Sequence, residues 1–216
     1  GRLMPKAESI IILVLLIILS AAAFKRNSYW DADTALWRDA SDKSPGKARP
    51  SNNLGSALAN AGRCEDAVPV LRLAIKSDQW YIEPHYNLAV CYIKKGSFDE
   101  ALPELLFVLK INDVLKSGHY GASAAPRYEL GANSNLGNIY HAKGMLSEAV
   151  SHYKEALLLD SNDTGTRFNL AITYKKMGRV EEAVKEFEEV LALNPGDDEA
   201  RRNLSYLKTG IYNENP

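Results

Sequence analysis

The chain has 216 residues, 46% of them apolar and 25% charged, with a formal charge of −1 from 26 basic and 27 acidic side chains. That size and apolar share suit one domain with a continuous core. The near-neutral balance gives no electrostatic footprint for nucleic acid, which is excluded as an expected partner.

The N-terminal segment is the first element. Residues Ile10 to Leu19 are all apolar, and Ser20, three alanines and Phe24 extend the run to 15. Arg2 and Lys6 precede it; Lys25 and Arg26 follow it. Fifteen helical residues rise roughly 22 Å, short of a hydrocarbon core of about 30 Å. Starting at Ala7, with Glu8 snorkelling to the interface, makes a marginal span. The favoured expectation is a retained membrane anchor over residues 7–24, inside an N-terminal hydrophobic helix at 1–28. Two others stay open. One is a cleaved signal peptide, because Ser20-Ala21-Ala22-Ala23 puts small residues after a short apolar core. The other is a soluble helix packed on a partner. The chain opens on Gly1 and not on Met, as a piece of a longer protein would.

Residues 29–47 carry Tyr29-Trp30 and Leu36-Trp37-Arg38-Asp39 and end in Ser44-Pro45-Gly46-Lys47. Beyond them one frame repeats. Asn53-Leu54, Asn87-Leu88, Asn135-Leu136, Asn169-Leu170 and Asn203-Leu204 are separated by steps of 34, 48, 34 and 34 residues. A period of 34 is the length of a helix–turn–helix repeat. Nine residues after the first four asparagines stand Gly62, Gly96, Gly144 and Gly178. These supply the permissive backbone that ends one helix. Next come Ala67, Ala101, Ala149 and Ala183, which let the second helix approach the first, then Leu71, Leu105, Tyr153 and Phe187, which fill the groove between them. Acidic residues before the alanines (Glu65-Asp66, Asp99-Glu100, Glu148, Glu181-Glu182) complement a helix N-terminus. Pro69 and Pro103 are expected in that same first turn.

This unit resembles the tetratricopeptide repeat family. The resemblance implies an all-α, right-handed solenoid with repeats at 48–81, 82–115, 130–163 and 164–197, a capping helix at 198–208 and a tail at 209–216. Run backwards, the frame places Trp37 on the groove-filling position, so 29–47 is expected to be the second helix of a partial repeat, joined to the apolar segment without a flexible linker. Trp30 is expected at a membrane interface. Residues 10–60 also resemble the junction of bacterial membrane proteins related to mannosyltransferases, where a last membrane helix runs into repeats outside the cytoplasm. That likeness implies an extracytoplasmic repeat domain. The catalytic membrane domain of that family has no counterpart here, so its activity does not carry over.

In this fold the first helix of each unit lines the concave face. The frame asparagines Asn53, Asn87, Asn135, Asn169 and Asn203 resemble the asparagine ladder of O-linked N-acetylglucosamine transferases, which implies a grip on peptide backbone. A carboxamide both donates and accepts, so it can mimic a neighbouring strand. The same amides can instead bond neighbouring helices and brace the stack. Further groove candidates are Tyr86, Val90 and Ile93, then Asn138 and His141, then Phe168, Ile172 and Lys175. The lysines and arginines of a chaperone-type carboxylate clamp are replaced by Asn52, Asn87, Gly131 and Asn135.

The 48-residue step inserts 14 residues at 116–129. Gly118, Gly121 and Pro126 argue for a loop, with His119, Tyr120, Arg127 and Tyr128 as partner contacts. A lengthened second helix is the alternative.

Catalytic chemistry has no signature here: no phosphate loop, dinucleotide fingerprint or HExxH occurs. Cys64 and Cys91 lie 27 apart outside any CxxC, and His85, His119, His141 and His152 form no ligand set. Packed thiols are favoured over a disulfide between the two cysteines. No cofactor, metal or enzymatic activity is expected. The expected function is a membrane-associated scaffold that binds proteins, through extended segments or folded subunits, and self-associates through repeat ends or apolar segments. An acceptor-presenting component of a membrane glycosyltransferase system is the alternative.

Overall fold

A computed structural model describes the backbone of residues 6–116 and 126–214, and the side chains of 11–20, 33–115 and 126–209. The described residues form ten helices: α1 (Lys6–Lys43), α2 (Ala48–Asn60), α3 (Cys64–Ser77), α4 (Ile82–Lys94), α5 (Phe98–Lys116), α6 (Pro126–Ala142), α7 (Leu146–Leu159), α8 (Thr164–Lys176), α9 (Val180–Leu193) and α10 (Asp198–Glu214). No strand occurs among them. Contacts divide the chain into two compact units, Gly1–Cys91 and Tyr92–Pro216, with the division inside α4.

The helix pairs are closed by one repeated turn. Gly62, Gly96, Gly144 and Gly178 hold φ between +74° and +78°. The amide after each glycine reaches back across the turn: Arg63 to the Leu58 carbonyl at 2.8 Å, Ser97 to Tyr92 and Met145 to Tyr140 at 2.9 Å, Arg179 to Tyr174 at 3.0 Å. This is a Schellman closure, which satisfies carbonyls that the helix end leaves open. A Cβ added at Gly178 would touch nothing within 4 Å. The expected cost of Gly178→Ala is therefore conformational, about 1–2 kcal/mol. Gly178→Asn should lose less, and urea unfolding of both variants reads the difference.

Past each turn the second helix opens with an acidic pair, or Glu148 alone in α7, and buries its small and large residues. Ala67, Ala101, Ala149 and Ala183 are fully buried, as are Leu71, Leu105, Tyr153 and Phe187. Pro69 and Pro103 differ from expectation. Each is the sixth residue of its helix, one turn further in, so each removes an interior backbone hydrogen bond. In the second unit the joints between repeats use carboxylates. Asp163 Oδ1 accepts from the Gly165 and Thr166 amides at 3.1 and 3.3 Å and caps α8. Asp197 Oδ1 accepts from Glu199 and Ala200 at 3.1 and 2.9 Å and caps α10. Arg167 on α8 pairs with Glu186 on α9 at 2.7 Å, with both side chains largely out of water.

In the first unit α1 is one uninterrupted helix of 38 residues. No turn separates residues 6–28 from 29–43, so the two helices expected of a partial repeat are one continuous helix. Trp37 is half-buried, unlike Leu71, and α1 makes a buried polar contact with α2, where Ser41 Oγ lies 3.1 Å from Ser51 Oγ. The side chain of Trp30 lies outside the described residues. Among the described residues no helix is long and apolar enough to cross a membrane, and the flanks 7–10 and 21–24 of the expected span have side chains outside those residues. Residues Ile11 to Leu19 are nonetheless 43–63% exposed on every side of the helix.

Two further boundaries move. α5 runs to Lys116 and α6 begins at Pro126, so Arg127 and Tyr128 stand on the first turn of a helix. His119 and Tyr120 lie outside the described residues. α10 continues to Glu214, past the expected end near 208.

Candidate functional site

In the second unit α6, α8 and α10 are the first helices of successive repeats, and their side chains are tied laterally. Asn169 Nδ2 on α8 donates to Asn138 Oδ1 on α6 at 2.9 Å. Tyr153 on α7 donates its hydroxyl to the same oxygen at 2.8 Å. Burial pushes the Tyr153 phenol up, so it stays protonated. One turn further, His141 Nδ1 lies 2.7 Å from Thr173 Oγ1, and Thr173 donates its proton to the Asn169 carbonyl at 2.7 Å. Burial first, then the Lys176 ammonium, lowers the His141 pKa below its ordinary value and keeps the ring neutral at pH 7. At the α10 side, Lys175 Nζ donates to Asn203 Oδ1 at 2.8 Å, and Asn203 Nδ2 donates to the Glu199 carbonyl at 2.9 Å.

Two hollows open on this face and share Asn169. One, of about 130 Å³, is lined by Asn138, His141, Tyr153, Asn169 and Ile172. The other, of about 270 Å³, is lined by Thr164, Gly165, Phe168, Asn169, Asp197 and Glu199. Phe168 and Ile172 also pack on the buried cluster beneath, where Phe168 meets Phe187 edge to face at 5.5 Å.

The frame asparagines are therefore not equivalent rungs. Asn169 pairs with Asn138, three residues past the frame. In the first unit Asn87 Nδ2 donates to Asn52 Oδ1 at 3.1 Å, one residue before the frame, and Asn52 Nδ2 lies 3.4 Å from both Asn53 Oδ1 and the Tyr81 hydroxyl. Asn135 is half-buried on α6, and Tyr86, Val90 and Ile93 are half-buried on α4. Arg127 Nη2 donates to its neighbour Tyr128 at 2.7 Å, away from both hollows. Sequence reasoning missed Tyr153 and Thr173 as groove residues. The one signal for Tyr153 was its hydroxyl at a position that is leucine or phenylalanine in the other repeats.

Behind this face His152 accounts for another histidine. Its Nδ1 lies 2.9 Å from Asn133 Oδ1, and its ring stacks on Tyr140 at 5.3 Å. Burial lowers its pKa. Cys64 and Cys91 are buried thiols. Among the described residues no group of three or more His, Cys, Asp or Glu stands ready to hold a metal.

Tetratricopeptide repeat patterns match residues 52–106 and 140–205. The chain belongs to the tetratricopeptide repeat family. Among solved structures, YrrB, titled a tetratricopeptide protein with an unusual peptide-binding site, superposes with a TM-score of 0.66 over 83% of this chain and 85% of its own, at 20% identity. That likeness shows the tetratricopeptide fold alone. The peroxisomal targeting signal receptor of Candida glabrata is 31% identical over 91 residues, 42% of this chain and 15% of the receptor. The protein O-mannosyl-transferase Tmtc2 of Drosophila melanogaster is 36% identical over 74 residues, 34% of this chain and 8% of that protein. The chain thus spans a small part of these relatives.

Proposed function

We propose that this tetratricopeptide chain is a non-enzymatic scaffold that takes an extended segment of another protein across Asn138 and Asn169. The amide pair carries this reading. Each carboxamide spends one end on the other, which leaves the Asn138 NH2 group and the Asn169 C=O open at the groove surface. The Tyr153 hydroxyl, which donates to the Asn138 oxygen at 2.8 Å, fixes this orientation of the pair. A peptide backbone needs that combination, one acceptor for its N–H and one donor for its C=O. A relative named as a targeting signal receptor, and a solved neighbour titled for its peptide-binding site, support a peptide ligand.

The test is a peptide array probed with the full chain and with Asn138→Ala and Asn169→Ala combined. Binding should fall at least tenfold, the loss of two hydrogen bonds at roughly 1 kcal/mol each. Undiminished binding with helical content intact overturns the reading.

The apolar stretch of α1 fits attachment of this scaffold to a membrane or to a hydrophobic partner, with the repeats outside the cytoplasm. Its all-round exposure supports this, because a helix apolar on every face belongs in lipid or protein. Co-flotation with phosphatidylcholine–phosphatidylglycerol vesicles should be lost with Leu15→Arg and Ile18→Arg combined. Wild-type protein left at the bottom of the gradient removes the lipid reading.

The likeness to Tmtc2 favours a second reading, an acceptor-presenting part of a sugar-transfer system. Recovery of sugar-transfer activity on co-purification from membranes would favour it over a general scaffold.

A further inference from the structure

The smaller hollow carries a chemical preference set by its histidine. Thr173 Oγ1 has one proton, and the Asn169 carbonyl, 2.7 Å away, can only accept it. Thr173 must then accept from His141, 2.7 Å on its other side. The proton of the neutral ring is thereby fixed on Nδ1, and Nε2 is left as a bare lone pair. Tyr153 has already committed its hydroxyl to Asn138. The other walls are the aliphatic chain of Ile172 and the Asn138 and Asn169 amides, whose open ends the bound backbone takes. The hollow thus combines one unused imidazole acceptor, an apolar side and room for only a few heavy atoms, about 130 Å³.

We infer that His141 is a specificity-determining acceptor, and that the hollow it lines takes a short hydroxyl-bearing side chain, serine or threonine, from the bound segment. Threonine satisfies both walls: its hydroxyl donates to Nε2 and its methyl group meets Ile172. Valine has the same shape and leaves Nε2 desolvated and unpaired. Aspartate sets a carboxylate lone pair against the Nε2 lone pair. The inference rests on the peptide-binding reading above.

Two pools of labelled, end-blocked decapeptides, identical except for threonine or valine at one fixed central position, test it against the full chain. The threonine pool should bind roughly five- to tenfold tighter. The preference should vanish with His141→Phe and persist with His141→Gln, whose amide oxygen restores an acceptor. Equal binding of both pools, or a preference that survives His141→Phe, overturns this inference and leaves the peptide-binding reading standing. Failure of both pools to bind overturns both. Ring nitrogen spectra of His141 give an answer that needs no peptide: a proton on Nδ1 at pH 7 supports the assignment, and a proton on Nε2 overturns it.

Discussion

Phe187→Ala is expected to lower the unfolding free energy by about 3–5 kcal/mol, the usual cost of emptying a sealed aromatic site. The side chain is fully buried, within a cluster that includes Tyr153, Leu170, Tyr174 and Val190. Its edge-to-face contact with Phe168 adds a directional component beyond area. Two elements depend on it, because α9 brings Phe187 against α8 while Phe168 lines the larger hollow. The variant should therefore weaken peptide capture as well as stability. Phe187→Leu is the informative companion. Leucine already fills this position as Leu71 and Leu105 and is fully buried there. It should cost about 1–2 kcal/mol, since most of the volume is retained. Urea denaturation followed by circular dichroism measures both. An alanine variant within about 1 kcal/mol of wild type would mean that the site collapses or is wet, contrary to its sealed packing.

The turns and the core were legible because each of their positions is fixed by its own backbone. A helix end that closes through a left-handed residue needs glycine, and all four frame glycines are there. A close helix crossing needs alanine, and all four are buried to zero exposure. The polar face was legible only in part. Whether a carboxamide meets its neighbour depends on the register between helices, which the period alone does not contain. Asn169 therefore finds Asn138 and Asn87 finds Asn52, each offset from the frame that drew attention to Asn135 and Asn53. Thr173 escaped notice because a threonine in a helix usually bonds only its own backbone; here its second lone pair carries the contact to His141. The continuity of α1 did have a signal. No glycine or proline stands between Ala7 and Lys43, so nothing local stops the helix where composition changes. In the joints, Asp163 and Asp197 cap the following helices, the second of them two residues after Pro195.

Gly137→Ala is expected to cost about 1–3 kcal/mol and to loosen the peptide site in the same step. Gly137 holds an ordinary helical conformation, so its need for glycine is steric and not conformational. A Cβ built there falls 2.5 Å from Tyr153 Cδ1. At the same frame position Ala89 and Ala171 carry that carbon and are fully buried. Tyr153 has little room to retreat. Its ring is enclosed, and its hydroxyl is held by Asn138 Oδ1 at 2.8 Å. Relief by rotation of the ring would pull on the hydrogen bond that fixes the Asn138 amide, and through it the pairing with Asn169. A double-mutant cycle separates this account from a general loss of stability. Tyr153→Ala alone should cost about 3–5 kcal/mol, and Gly137→Ala added to it should cost almost nothing more, because the clashing ring is gone. Additive losses would place the strain elsewhere. Tyr153→Phe completes the set: it keeps the ring and the clash and removes the hydroxyl. With glycine retained at 137 it should leave stability within about 1 kcal/mol of wild type. It should still reduce peptide affinity, since the Asn138 amide then lacks one of the two donors that hold its oxygen inward.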